Sequence, residues 1–199
     1  MGVHGGTSGN DVIYGGPDNW DVTDGRTYQG ANILAGRAGD DVLIGDYGND
    51  VLYAEAGHDR LYGGRGDDTL VGGDGDDQLS GEEGNDLLIG GTGHDIMTGG
   101  SGHDAFRFAS MQDFPSGTCD VITDFSSAEG DIIEIDGLCA GTFGFVGQDP
   151  FTGGAQVRYE YDESLGGCMV YGNTNLDPEP DFAFLVQGAT SLSATDFVL

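Results

Sequence analysis

Cut into nines, residues 63–98 read GGRGDDTLV GGDGDDQLS GEEGNDLLI GGTGHDIMT, and this stretch decides the fold. The same frame runs back through 54–62, 45–53, 36–44 and 27–35 and forward through 99–107 without a gap. A further block, 6–14, fits it across the break 15–26. The fourth place is Gly in every block: Gly9, Gly30, Gly39, Gly48, Gly57, Gly66, Gly75, Gly84, Gly93 and Gly102. The sixth is Asp11, Asn32, Asp41, Asp50, Asp59, Asp68, Asp77, Asp86, Asp95 and Asp104. The eighth is apolar throughout, from Ile13 and Leu34 to Met97 and Phe106. Three columns held this long mark a repeat architecture.

The columns dictate the local structure. Places seven to nine form a three-residue strand in which only the eighth side chain points inward, because side chains alternate across a strand. Gly at place four, and often at one and two, allows the positive φ of a tight turn and close backbone approach. Two blocks then make one coil of a right-handed parallel β-roll, with Leu from both faces meeting in the middle. One inward apolar side chain per block is worth roughly 1.5–3 kcal/mol. That is small against the entropy of ordering nine backbone residues, so the roll is not expected to fold unaided.

The sixth-place acids supply a remedy. Block n stacks on block n+2, so Asp50, Asp68, Asp86 and Asp104 form one column and Asp41, Asp59, Asp77 and Asp95 the other. Strands stack about 4.7–4.9 Å apart, which lets successive carboxylates share a hard cation with oxygen ligands at roughly 2.3–2.6 Å. Charge balance agrees: 35 acidic residues face 6 basic ones, all Arg, for a net charge of -29. Such a surface repels phosphate backbones and anionic lipid, so neither nucleic acid nor membrane insertion is expected. No run of about 18 apolar residues exists to cross a bilayer.

The blocks GGRGDDTLV, GGDGDDQLS and GGTGHDIMT resemble the RTX (hemolysin-type) calcium-binding repeat. In that family each ion takes backbone oxygens of places two and four and the sixth-place Asp from one loop. It takes the backbone oxygens of places one and three, and the next Asp, from the loop two blocks later. Carried over, one site uses Gly64, Gly66, Asp68, Gly81, Glu83 and Asp86, and another uses Gly73, Gly75, Asp77, Gly90, Thr92 and Asp95. Along the columns the same rule draws in Gly39, Gly48, Gly57, Gly84, Gly91 and Gly93 from places two and four. From places one and three it adds Gly45, Gly63, Gly72, Gly99, Asp74 and Ser101. The resemblance implies several Ca2+ ions, roughly six to eight. Extending the frame one block places Asp113 to close the last site beside Asp95. At the other end Asn32 replaces Asp, which compromises any site shared by Asp11 and Asn32. Asp18, Asp21 and Asp24 are candidates to rebuild one.

No other chemistry stands out. His58, His94 and His103 all occupy place five and read as exposed loop histidines. No HExxH helix, GxSxG elbow or phosphate-binding glycine loop occurs, so no catalytic residues are assigned. Cys119, Cys139 and Cys168 form neither CxxC nor a Cys/His cluster, which argues against structural zinc and leaves one disulfide open.

After about residue 108 the period stops and β-type alternation follows, setting a boundary between a roll (1–107) and a β-sandwich-like C-terminal cap (108–199). HDAFRF (103–108), DVITDFSSAEGDIIEIDGL (120–138) and DFAFLVQGATSLSATDFVL (181–199) look like the C-terminal region of serralysin-type metalloproteases. That resemblance implies secretion to the extracellular space through a type I (ATP-binding-cassette) apparatus. The uncleaved signal would end in Asp196, Phe197, Val198 and Leu199. MGVHGG has neither the basic nor the apolar part of a signal peptide. The leading expectation is therefore a non-enzymatic calcium-binding module that folds outside the cell. The alternatives are the non-catalytic part of a larger exported protease, lipase or alginate-modifying enzyme, with an N-terminal domain outside this sequence, or a calcium-dependent surface or adhesive protein. On the column with Asp50, outward residues such as Val51, Tyr53, Val71 and Ile89 are apolar. That face is expected to be covered by the C-terminal sheet or by a further domain.

Overall fold

The computed structural model describes residues 2–6, 9, 11–14, 30–114, 119–135, 138, 142–175, 177 and 179–199. Alternate blocks send their strands to two different sheets, as the nine-residue frame requires. The first sheet holds, in order, β1 (Gly2–Gly5), β3 (Asn32–Ala38), β5 (Val51–Ala56), β7 (Thr69–Asp74), β9 (Leu87–Thr92), β11 (Ala105–Phe108), β13 (Ile132–Ile135) and β18 (Phe197–Val198). The second runs β2 (Val12–Tyr14), β4 (Val42–Tyr47), β6 (Arg60–Arg65), β8 (Gln78–Glu83), β10 (Ile96–Ser101), β12 (Val121–Ile122), β17 (Phe182–Gln187), β16 (Gly167–Asn173), β15 (Gln156–Asp162) and β14 (Gly144–Gly147). All pairs are parallel except β15–β16 and β16–β17. The architecture is a parallel β-roll.

Register follows the repeat: Leu34 pairs with Leu52, Leu52 with Leu70 and Leu70 with Leu88 in the first sheet. In the second, Leu43 pairs with Leu61, Leu61 with Leu79 and Leu79 with Met97. From Leu34 to Phe106 no eighth-place residue is more than 2% exposed, so this single column is the core of the roll. The strands are longer than the three residues expected. Pairing skips place one, where the chain turns the corner, and resumes at places two and three, as in Arg37 with Glu55 and Ala38 with Ala56. The place-four amide then closes the corner by donating to the third-place carbonyl two blocks on, as from Gly39 to Ala56 at 2.9 Å.

Neither sheet breaks at residue 107. β12 continues the second sheet and β13 the first, so the chain beyond the repeats lengthens the stack. Its aromatic residues plug the end of the narrow Leu core. Phe108 stacks on Phe184 (4.4 Å between ring centroids) and on Phe114 (5.1 Å), and Phe114 on Phe182 (4.6 Å).

The expectation that the C-terminal sheet covers the outer apolar face is not met. β14 to β17 join the second sheet edge to edge, where its unpaired amides and carbonyls need partners, and Tyr53 on the first sheet stays 43% exposed. Cys119 and Cys168 carry free thiols, and Cys139 lies outside the described residues. No helix among the described residues is long and apolar enough to cross a membrane.

Glycine is needed for different reasons at different places. At place four the backbone φ is positive, +133° at Gly66, and a Cβ there would strike the Gly48 carbonyl oxygen. Place two also has positive φ but tolerates side chains at a cost: Glu55 and Glu82 both sit at φ 78°. Replacing Glu55 by Gly should therefore raise stability by roughly 1 kcal/mol, whereas Gly66→Ala should lower it. Urea unfolding at saturating calcium measures both, and an unchanged or lower midpoint for Glu55→Gly would contradict this account of place two.

Candidate metal centre

Each sixth-place Asp sits at the end of a turn and just before a strand, so its side chain lies between stacked turns. From Asp41 to Asp104 none is more than 2% exposed. One oxygen of each has a partner: its Oδ1 accepts the backbone N–H of the sixth residue two blocks earlier. The bonds run from Asp41 to Asp59 (2.6 Å), Asp59 to Asp77 (2.8 Å) and Asp77 to Asp95 (2.9 Å) in one column. The other column has Asp50 to Asp68 (2.7 Å), Asp68 to Asp86 (2.7 Å) and Asp86 to Asp104 (2.9 Å).

The second oxygen is the decisive one. Oδ2 of Asp41, Asp50, Asp59, Asp68, Asp77, Asp86, Asp95 and Asp104 is buried and accepts no hydrogen bond. A buried carboxylate oxygen without a donor is strongly unfavourable unless a positive charge faces it. What faces it is more oxygen. A Cβ built on Gly63 would lie 2.5 Å from Asp68 Oδ2 and 2.8 Å from the Gly81 carbonyl oxygen. The same cradle joins Asp77 Oδ2 to the Gly90 carbonyl over Gly72, and Asp86 Oδ2 to the Gly99 carbonyl over Gly81. Place-one glycines therefore keep a gap open rather than supply positive φ. These pairings, Asp68 with Gly81 and Asp77 with Gly90, are among those the repeat resemblance implied. No group of three His, Cys, Asp or Glu side chains converges among the described residues. The donors are carboxylate and backbone oxygens, the set a hard cation such as Ca2+ prefers, and the residues fit that ion.

Electrostatics carries the same message. Burial pushes the carboxyl of Asp77 up to about 8 and that of Asp86 up to about 7, with the charges of neighbouring rungs adding to it. Burial likewise takes Asp68, Asp95 and Asp104 up to about 6. Asp41, Asp50 and Asp59 are raised by the same cause.

Both ends of the columns differ from expectation. Asp11 and Asn32 do not stack on one another. The Asp11 amide donates to Asp41 Oδ1 and the Asn32 amide to Asp50 Oδ1, both at 2.6 Å, so each heads a different column. Asn32 also points its amide nitrogen at Asp50 Oδ1 (3.0 Å), a donor where the other rungs present an acceptor. Asp18, Asp21 and Asp24 lie outside the described residues. At the far end the rung after Asp95 is Asp120, not Asp113, and the rung after Asp104 is Asp131; both accept the amide at 2.9 Å. The break in spacing, 25 and 27 residues instead of 18, hid them. The triplets DVI (120–122) and DII (131–133) still repeat places six to eight. Asp113 caps its own 3-10 turn, Met111–Asp113, through Oδ2 to the amides of Ala109 and Ser110 (2.9 Å each). Its charge helps to raise Asp95 and Asp120, the latter up to about 8 with burial as the main cause.

His58 is more than a bare loop residue. His58 is well exposed, yet its Nδ1 accepts the Asp76 amide at 2.9 Å.

Comparison with known proteins agrees with this geometry. The family profile described as the RTX calcium-binding nonapeptide repeat (4 copies) matches residues 6–19, 27–61, 35–70, 56–88 and 71–106. A search of curated proteins finds no match. Among solved structures, the AlgE6R3 subunit from the Azotobacter vinelandii mannuronan C5-epimerase is similar at 32% identity and a TM-score of 0.55, covering 70% of this chain and 76% of its own. The extracellular lipase LipA from Serratia marcescens aligns over 98% of this chain and 39% of its own at 16% identity, with a TM-score of 0.32. Repeat, roll and oxygen-lined columns together place the chain in the RTX calcium-binding repeat family.

Proposed function

We propose that calcium is the folding trigger of this module and that the module travels through a type I secretion apparatus before it folds. One observation carries the reading: eight buried aspartate oxygens lack a donor in the folded stack. Inside a cell, where calcium is scarce, such a chain stays open and can be threaded. Outside, calcium binds the folded form and not the open one, which stabilises it by mass action over many sites. Affinities of about 10⁻⁴–10⁻³ M suit an extracellular module.

The ions would be held by the sixth-place Asp of two stacked blocks and by turn carbonyls of places one to four. Asp95 with Asp120, and Asp104 with Asp131, would close the last rungs, with Asp113 beside the former. The last residues fit the same reading. Asp196 is buried, accepting from Ser193, and Phe197 pairs with Ile133 in the first sheet. A secretion signal there is accessible to a transporter only before the roll forms.

A second reading follows from the epimerase likeness, since that relative is a subunit of an enzyme. Here the chain serves as the non-catalytic part of a larger exported enzyme, and calcium-dependent folding remains its contribution. Both sheets run on past residue 107, so the division into a roll (1–107) and a C-terminal unit carrying the signal belongs to the same proposal as a division of roles within one stack.

Circular dichroism with and without chelator tests the trigger. At pH 8 the β signal should appear only with calcium; full signal in chelator would refute it. The pH dependence has a definite sign. Carboxyls with folded values of about 6 to 8 against 3.8 in the open chain stabilise the metal-free fold when protonated. That contribution is complete below about 4 and is lost as pH rises through 6 to 8. The chelated chain should thus hold more β structure at pH 5 than at pH 8, and the calcium midpoint should fall from pH 6 to pH 8. For export, residues 140–199 fused to a reporter should be secreted by cells carrying a type I system. Retention of the fusion, with the full chain exported, would remove the signal from these residues.

A further inference from the structure

Place five forms a second ladder that runs the opposite way to the aspartate one. Asn49 Oδ1 accepts the Asp67 amide (3.2 Å), Asp67 Oδ1 the Asn85 amide (3.0 Å) and Asn85 Oδ1 the His103 amide (3.0 Å). In the other column Asp40 Oδ1 accepts the His58 amide (3.1 Å), His58 Nδ1 the Asp76 amide (2.9 Å) and Asp76 Oδ1 the His94 amide (2.9 Å). The sixth-place side chain reaches back along the stack, and the fifth-place side chain reaches forward. Asp, Asn and His share one property here: each can present an acceptor close to its own backbone.

The amide at place five belongs to the same peptide plane as the place-four carbonyl. In a trans peptide the N–H and C=O point in opposite directions. Holding the fifth-place N–H toward the preceding turn therefore keeps the fourth-place carbonyl directed at the following turn. The structure shows that aim. A Cβ placed on Gly84 would land on the Gly66 oxygen, and one on Gly102 would land on the Gly84 oxygen. On the other column the Gly57 oxygen faces Gly75 and the Gly75 oxygen faces Gly93 in the same way.

We propose that the place-five side chains are positioning residues for calcium: each locks the place-four carbonyl of the turn two blocks later in the direction of the ion held beyond it. Asn49 thus acts on Gly66, and Asp67 on Gly84, without touching the ion. His58 does the same for Gly75 with Nδ1 as acceptor, its ring proton being on Nε2. Position 31 lacks the rung, because Ala31 offers no acceptor to the Asn49 amide; the Gly48 carbonyl still faces Gly66, so the turn alone sets its direction and no side chain locks it there. The inference rests on calcium binding by the repeats.

Calcium titration of the full chain, followed by circular dichroism and calorimetry, tests it with paired variants. Asp67→Ala should raise the calcium midpoint about fivefold, the loss of roughly one hydrogen bond, while Asp67→Asn stays within about twofold. Ala31→Asn adds the missing rung without removing any contact and should lower the midpoint about twofold or more. If Asp67→Asn is as weak as Asp67→Ala, charge rather than the acceptor matters and the proposal fails. It also fails if Ala31→Asn leaves binding unchanged, a result that does not depend on whether Asp67→Ala folds. An unsubstituted chain that binds no calcium would overturn the calcium reading itself. Normal binding with all three variants equal to it would overturn this inference alone.

Discussion

A carboxylate buried between two turns, with one oxygen on a backbone amide and the other without a donor, is the constraint on which the structure depends. Burial removes water from these groups, and their neighbours in each column carry the same charge. The arrangement is tolerable only if protons or a cation supply the missing positive charge. Several features follow from it. In the described blocks from 36 to 107 place one is Gly everywhere but Ala54, because a side chain larger than a methyl group there would fill the gap between Asp Oδ2 and the next turn's carbonyl, as at Gly63. The raised carboxyls of Asp77 and Asp86 are the same fact seen by titration.

The core alone does not decide folding. One Leu per block is a narrow stripe, and each block meets only its neighbours in the stack, so stability accumulates by nearest-neighbour terms. Every interface between turns contains both an eighth-place contact, such as Leu52 on Leu70, and a sixth-place pair, such as Asp50 with Asp68. The apolar contact and the charged pair cannot form separately, because both need the same register. A cation that relieves one therefore completes the other, and metal binding and folding become one process. The free end of the stack is closed by the Phe108, Phe114, Phe182 and Phe184 cluster, where the Leu stripe widens into a larger aromatic core.

Most of the roll was legible because its determinants are periodic. The Gly, Asp and Leu columns gave the two sheets, the partner of each strand and the paired acids. What escaped lies where the period fails or where a backbone group decides. Asp120 and Asp131 were hidden by insertions that loop out between rungs, although DVI and DII repeat the local pattern. Asp113 kept the spacing, but with no glycines around it the chain folded into a 3-10 turn that Asp113 itself caps. Pairing of places two and three is backbone bonding that side-chain pattern does not announce. Place five looked variable because Asp, Asn and His differ in charge, yet they share an acceptor near the backbone.

The most direct test of the central claim is anomalous scattering from crystals grown with calcium. The account predicts two rows of ions, one along each column, each about 2.3–2.6 Å from the Oδ2 atoms of successive sixth-place aspartates and from turn carbonyls. Aspartate Oδ2 atoms with no ion beside them in an otherwise identical roll would contradict it.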